Sequence, residues 1–187
     1  LAPIQVILVP IPKPTDEIDQ VGDRIMKELK NKNIRVQYDR DERNRPGFKF
    51  AEYELKGVPI RIGIGARDLE KGVVEIARRD TKEKELVAVD QVVQYVCDLL
   101  DNIQQNLFER AKSFRASNTH YADTWDEFQK ILEEKGGFIF AHWDGTSETE
   151  ELIKEKTKAT IRCIPMDVVE EAGKCILTGK PSKCRVL

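Results

Sequence analysis

Three charged side chains in the middle of the chain, Glu54, Arg61 and Asp68, have complementary chemistry. A carboxylate accepts two N–H donors at once, and a guanidinium donates to two acceptors at once. An exposed guanine offers both kinds of edge: N1–H and N2–H donors on its Watson–Crick side, and the O6 and N7 acceptors beside them. The carboxylate and guanidinium pair therefore fits a single-stranded guanine. Phe48 and Tyr53 are placed to stack on bases, although Phe48 serves equally well as core. Lys49, Lys56, Arg67, Arg78, Arg79, Lys82 and Lys84 could reach phosphates, but in so charged a chain most of them read as a solvated rim.

Other chemistries find less support. Gly63-Ile64-Gly65 is not followed by Gly-Lys-Ser/Thr and is no phosphate loop; its glycines read as the end of a strand. His120 and His142 lie far apart in sequence, and neither adjoins a nucleophile. Cys97, Cys163, Cys175 and Cys184 show no close pairing and read as reduced thiols. A Cys3His zinc site of Cys163, Cys175, Cys184 and His142 is the metal alternative, though the spacing matches no zinc knuckle.

The elements that must hold Glu54, Arg61 and Asp68 follow from periodicity. Phe48, Ala51 and Leu55 recur at helical spacing; Gly57 ends that helix and Pro59 opens a strand over 60–64. This places the three charged residues near one sheet edge. Before them, the apolar run 4–9 reads as a strand buried on both faces. Thr15 caps a helix carrying Ile18, Val21, Ile25 and Leu29, and 34–38 is a strand parallel to the first. After them come strands at 72–77 and 86–89, joined by a charged turn over 78–85. Helix 91–112 follows, with Val92, Val93, Val96, Leu99, Leu100, Ile103 and Leu107 inward. Residues 113–123 form a polar boundary. Thr124-Trp125-Asp126-Glu127 is a capping box for a helix to Glu134 with Phe128, Ile131 and Leu132 inward. A strand at 138–143, a helix at 147–156, a strand at 159–164 and short strands at 174–177 and 184–187 complete the chain. The expected architecture is α/β, in two domains at 1–112 and 113–187.

The 187 residues suffice for two small cores. Net charge is −2, so attraction to nucleic acid would come from a local patch and not from the whole molecule. No apolar run approaches a membrane span, and the start at Leu1 reads as a cut from a longer chain.

The run Lys49–Leu69, KFAEYELKGVPIRIGIGARDL, closely resembles the anticodon-binding domain of class II prolyl-tRNA synthetases. The opening Leu1-Ala2-Pro3-Ile4-Gln5-Val6 resembles the segment that follows the catalytic domain in that family. Gly173-Lys174-Cys175-Ile176 and Thr178-Gly179-Lys180-Pro181-Ser182 resemble the extra C-terminal domain of its archaeal/eukaryote-type branch. The resemblance covers essentially the whole chain, and the central run is specific. Synthetases for threonine, histidine and glycine share the fold but not this wording.

The resemblance implies an anticodon-binding domain with a mixed five-stranded sheet flanked by helices, followed by a smaller C-terminal α/β domain. The parent enzyme, a cytoplasmic homodimer, joins proline to its tRNA through prolyl-adenylate, with ATP and Mg2+. Its catalytic motifs lie N-terminal to Leu1, so no catalytic residue and no cofactor are expected here. The expected partners are tRNA(Pro) and the catalytic domain of the same polypeptide. Proline anticodons carry two guanines. In the family the positions matching Glu54, Arg61 and Asp68 contact the anticodon bases, as does a lysine that falls here in the Lys82–Lys84 turn.

Many relatives bind zinc in the C-terminal domain through a C-x4-C and a C-x-C pair. Here Cys175 starts the second pair, Leu177 takes its other position, and 142–149 holds no cysteine. The expectation is a domain without zinc, held by packing alone. The family also runs a few residues further, to a C-terminal tyrosine. The competing readings are the anticodon domain of another class II synthetase, an appended paralogue that binds nucleic acid differently, a small-molecule α/β module with its crevice at strands 4–9 and 34–38, and a structural interaction domain.

Overall fold

The computed structural model describes residues 3–166 and 170–187. Leu1 and Ala2, which begin the opening segment compared above, lie outside the described residues. The chain divides into two compact units, Leu1–Glu109 and Arg110–Leu187, and the division falls within one helix.

The first unit is built on five strands: β1 (Val6–Ile11), β2 (Val36–Tyr38), β3 (Ile60–Gly65), β4 (Val73–Arg78) and β5 (Lys84–Ala88). Their order is β2-β1-β3-β4-β5. β1 runs parallel to β2 and β3, and β4 and β5 are antiparallel to their neighbours, so the sheet is mixed as expected. β3 is its central strand. Arg61 therefore sits in the middle of the sheet and not near an edge, because β3 pairs with β1 on one side and β4 on the other.

Alternation sorts the side chains to two faces. Val6, Leu8, Ile60, Ile62, Ile64, Val74 and Ile76 form one face. Helix α1 (Asp16–Asn31) covers it with Ile18, Ile25 and Leu29, and α4 (Val92–Ser117) with Val92, Val96, Leu99 and Ile103. The Thr15 hydroxyl caps α1 as expected. On the second face, α2 (Pro46–Leu55) packs over β1, where Ile7 and Val9 meet Tyr53, Val58, Ile4 and Phe50. Towards β5 this face stays open, with Lys84 and Leu86 exposed.

Helix α2 turns the opposite way from its apolar spacing. Phe48 is 57% exposed and Leu55 88% exposed, while Lys49 and Tyr53 are buried. The reason is Asp39: Lys49 Nζ donates to its main-chain oxygen at 3.0 Å and pairs with its carboxylate at 3.0 Å, and the Tyr53 hydroxyl donates to the same carboxylate at 3.1 Å. The same face carries the Tyr53 and Phe50 rings against Ile7, Val9 and Val58, so apolar burial and the satisfied Asp39 group act together.

The second unit pairs β6 (Thr119–Ala122), β7 (Phe138–His142) and β10 (Arg185–Val186) in the order β10-β7-β6. Helix α5 (Trp125–Glu134) connects the parallel β6 and β7, and its Thr124/Glu127 capping box is formed. Phe128, Ile139, Ala141, Ile153 and Ile176 make the core, with Ile153 supplied by α6 (Ser147–Thr157). β8 (Gly173–Lys174) and β9 (Pro181–Ser182) form a small hairpin.

Three expectations for this region change. Residues 119–122, read as boundary, form β6; of 174–177 only Lys174 lies in a strand; and 159–164 is not a strand. It pairs with the chain end only through Arg162 N–Leu187 O at 2.7 Å and Leu187 N–Cys163 O at 3.0 Å. Pro165, just beyond, has no N–H with which to lengthen the ladder.

Candidate nucleic-acid interface

Strand β3 sends its isoleucines to the closed face, which leaves Arg61, Gly63 and Gly65 on the other. The register then lays Ile7, Arg61, Ala77 and Lys84 in one row across four strands. Gly63, Glu75 and Leu86 form the adjoining row. Gly63 leaves space for the Ile11 side chain: a Cβ there would lie 2.8 Å from Ile11 Cδ1, while 3.6 Å from Arg61 Nη1 is ordinary contact.

The guanidinium of Arg61 is tightly surrounded. Its carbon lies 3.5 Å from the centre of the Phe50 ring. Nη2 is 3.1 Å from one Glu75 oxygen, and the other Glu75 oxygen is 3.4 Å from Lys84 Nζ. Burial lowers the Arg61 pKa and the Glu75 carboxylate opposes this; an arginine nevertheless stays charged. Nη1 is buried with no hydrogen-bond partner, the one such side-chain nitrogen or oxygen among the described residues. An unmet buried donor costs about 1–3 kcal/mol, so this one calls for an explanation.

The rim comes from two turns. Gly57, at φ +78°, ends α2 with its N–H on Glu54 O at 3.1 Å. The β4–β5 hairpin reaches the same carbonyl through Arg79 Nε at 2.8 Å, and Arg79 N donates to Pro59 O at 2.9 Å. Lys82, at φ +65° in the hairpin loop, brings its ammonium to 3.5 Å from the Glu54 carboxylate. Together these residues enclose a concavity of about 180 Å³, lined by Phe50, Tyr53, Glu54, Arg61, Lys82 and Lys84 among others. Arg78 and Arg79 also line it, so five cationic side chains and one carboxylate line the concavity, with Glu75 behind Arg61 and Lys84, and Asp80 behind Arg78. This is a local basic patch on a chain whose net charge is −2.

Glu54, Arg61, Lys82 and Lys84 thus meet in one place. Asp68 and Arg67 do not. They lie on the short helix α3 (Ala66–Leu69), beyond the far end of β3, and Arg61 and Gly65 are themselves ~13 Å apart along the strand. Phe48 is on the solvent side of α2, away from the concavity. The Tyr53 ring lines it, but its hydroxyl is committed to Asp39; burial and the Asp39 charge push its pKa up to about 12. Lys49 is buried against Asp39, and Arg78 is paired with Asp80 at 2.7 Å. Sequence reasoning missed Phe50 and Glu75. The signal for Glu75 was present: with Val74 and Ile76 inward, Glu75 must share the open face with Arg61.

In the second unit, Asp144 gathers hydroxyls. Its oxygens accept from Thr146 Oγ1 at 2.9 Å, Thr149 Oγ1 at 2.9 Å and Thr178 Oγ1 at 2.8 Å, and from Thr146 N at 3.2 Å. Burial pushes its pKa upward, but the bonds from Thr178, Thr146 and Thr149 prevail and hold it at about 2. The residues present do not fit a zinc ion. Zinc takes four donors, and among the described residues no three His, Cys, Asp or Glu side chains converge. His142 is used elsewhere, with Nδ1 3.1 Å from Ser182 Oγ and its ring filling the space over Gly173.

Comparison with known proteins matches residues 5–99 to the family model described as "Anticodon binding domain". Residues 125–187 match the model described as "Prolyl-tRNA synthetase, C-terminal". The chain is similar over its whole length to proteins named proline–tRNA ligase: 52% identical to that of Christiangramia forsetii, 54% to that of Cytophaga hutchinsonii and 53% to that of Bacteroides fragilis. It spans 39% of the length of each of these relatives. No helix among the described residues is long and apolar enough to cross a membrane.

Proposed function

This chain belongs to the anticodon-binding domain family, and we propose that the concavity around Arg61 reads a guanine in the anticodon of proline tRNA. The observation that carries the reading is a concavity lined by the Arg61 guanidinium, with the Glu54 carboxylate on its rim. A guanine brings acceptors for the first and donors for the second. Lys82 and Lys84 supply charge for the adjoining phosphates. Asp68, on α3 beyond the end of β3, serves the second guanine of the anticodon, with Arg67 at the neighbouring phosphate.

The chain acts as the tRNA-holding part of a proline–tRNA ligase, and the chemistry with ATP and Mg2+ takes place in a catalytic domain of the same polypeptide. The parent works in the cytoplasm as a homodimer. The match of residues 125–187 supports placing it in the branch that carries the extra C-terminal domain, the archaeal/eukaryote-type branch, although the relatives named above are bacterial. In this chain that domain is held without zinc.

The test is a filter-binding titration with proline tRNA. Arg61→Ala and Glu54→Ala are each expected to weaken binding by ~1–3 kcal/mol, the cost of a lost base contact. Wild-type affinity in both variants overturns the assignment. Competition by threonine or glycine tRNA as effective as that by proline tRNA instead points to another specificity within the class.

A further inference from the structure

We infer that Arg79 is a positioning residue for Glu54, holding its carboxylate level with the Watson–Crick edge of the guanine it meets; this rests on the proposed reading of the site. Glu54 stands in the last turn of α2, just before the final residue Leu55. Main-chain oxygens there have no partner within the helix, and a helix end left to itself frays. The Glu54 oxygen is held from outside: it accepts from Gly57 N at 3.1 Å and from Arg79 Nε at 2.8 Å. Arg79 N in turn donates to Pro59 O at 2.9 Å. One residue of the β4–β5 hairpin thus ties down both sides of the turn that follows Glu54, from 25 residues further along the chain.

Arg79 is itself well anchored. Its neighbours Arg78 and Asp80 pair at 2.7 Å, and Asp80, 2% exposed, is secured from α4 by Asn106 Nδ2 at 2.6 Å. The hairpin closes with Arg78 N on Glu83 O at 3.0 Å and Lys82 N on Arg78 O at 3.1 Å. The Glu54 side chain, by contrast, is 53% exposed and open to a base. Its contact with Lys82 Nζ is an exposed pair at 3.5 Å, too weak to fix it. The main chain beneath it therefore sets where the carboxylate stands. That position matters to the base. A carboxylate accepts the N1–H and N2–H of guanine together only when both of its oxygens lie level with that edge. Adenine, cytosine and uracil offer no such pair of adjacent donors there. A loosened turn would keep the contact to N1–H and give up the second one.

The experiment titrates this chain with proline anticodon stem-loop RNAs in which each of the two guanines is replaced singly by inosine. Inosine keeps O6, N7 and N1–H and lacks only the 2-amino donor, so it reports on the carboxylate and not on Arg61 or the phosphates. The wild-type chain is expected to prefer guanine at the position read by Glu54 on the order of tenfold, and Glu54→Ala to abolish that preference. Arg79→Gln keeps a donor as many bonds from the main chain as Nε but drops the charge; it is expected to retain the preference. Arg79→Lys keeps the charge but carries its donor one bond further out; it is expected to bring the preference close to parity and leave that at the other guanine intact. Arg79→Met, with neither donor nor charge, is expected to do the same and stands in for Arg79→Lys if that variant does not fold. An Arg79 that merely binds phosphate predicts the reverse: Arg79→Lys behaves as wild type, and Arg79→Gln weakens guanine and inosine RNAs alike. That result overturns the inference and leaves the reading of the site standing. If the preferences at both guanines shrink together in every Arg79 variant, Arg79 only supports the fold and the inference also fails. If Glu54→Ala leaves both preferences unchanged, the reading of the site is wrong.

Discussion

The ammonium of Lys49 lies 3.0 Å from the carboxylate of Asp39, with the two side chains only 4% and 11% exposed. This pair helps to decide which side of α2 faces the sheet, and hence where Glu54 and Phe50 stand. Removing one partner leaves the other charge buried and unpaired. Lys49→Met is therefore expected to cost about 3–5 kcal/mol, read as a lowered urea midpoint with an unchanged slope. The double variant Lys49→Met/Asp39→Asn should recover part of the loss, because no bare carboxylate remains.

The apolar residues on the outside of α2 should contribute little. Leu55→Lys is expected to change stability by less than about 0.5 kcal/mol. Tyr53→Phe, which removes the hydroxyl that donates to Asp39, should cost about 1 kcal/mol. Thermal melts of the two variants check the inverted face directly: if Leu55 proves the costlier, α2 packs by its apolar spacing after all.

Asp80 sets an acid limit on the first unit. Its side chain is 2% exposed, is paired with Arg78, and accepts from Asn106 Nδ2 at 2.6 Å. The bond from Arg78 is the main cause of a pKa held at about 2, below the usual 3.8. A depressed carboxylate stabilises the fold above its unfolded pKa, and that stability is lost as pH falls through the folded value. The contribution of Asp80 should thus be fully present above about pH 4 and disappear towards pH 2. In Asp80→Asn the acid-unfolding curve over that window should be shallower; an unchanged curve would remove Asp80 from the account.

Lys82 occupies a left-handed conformation, at φ +65°, which favours glycine. Lys82→Gly and Lys82→Ala both remove the ammonium that faces Glu54, but only alanine keeps the backbone strain. Lys82→Gly should be the more stable of the two by about 0.4–1 kcal/mol, while both should lose RNA affinity to the same extent. A difference in affinity larger than the difference in stability would mean that the loop conformation, and not the charge, matters for binding.

In the second unit the Asp144 network should stand without metal. Metal analysis of purified protein is expected to find less than stoichiometric zinc, and chelator should leave the melting temperature unchanged. Asp144→Ala should lower stability by about 1–3 kcal/mol, the cost of leaving its hydroxyl partners unmet. Stoichiometric zinc would refute this arrangement.

Much of this molecule was written in local sequence. Strict alternation in 60–64, the capping residues Thr15 and Thr124, and the glycine stop at Gly57 each act within a few residues, and each appears in the structure where its spacing put it. The turn that sets Glu54 near Arg61 was also legible, whereas Lys82 and Lys84 were joined to them only by the family resemblance.

Two things were not local, and a third followed from strand geometry. That β3 is central depends on its pairing with β1, far earlier in the chain, as well as with the neighbouring β4. The face that α2 buries was set by partners outside the helix, Asp39 for Lys49 and Tyr53, and β1 for the Tyr53 and Phe50 rings. The separation of Asp68 from Arg61 follows from the extension of one strand between them. The sequence by itself determined which side chains were available to meet a base. Only the tertiary structure decided that Phe50 and Glu75 would lie against Arg61, because the β3–β4 register and the facing of one helix bring them together.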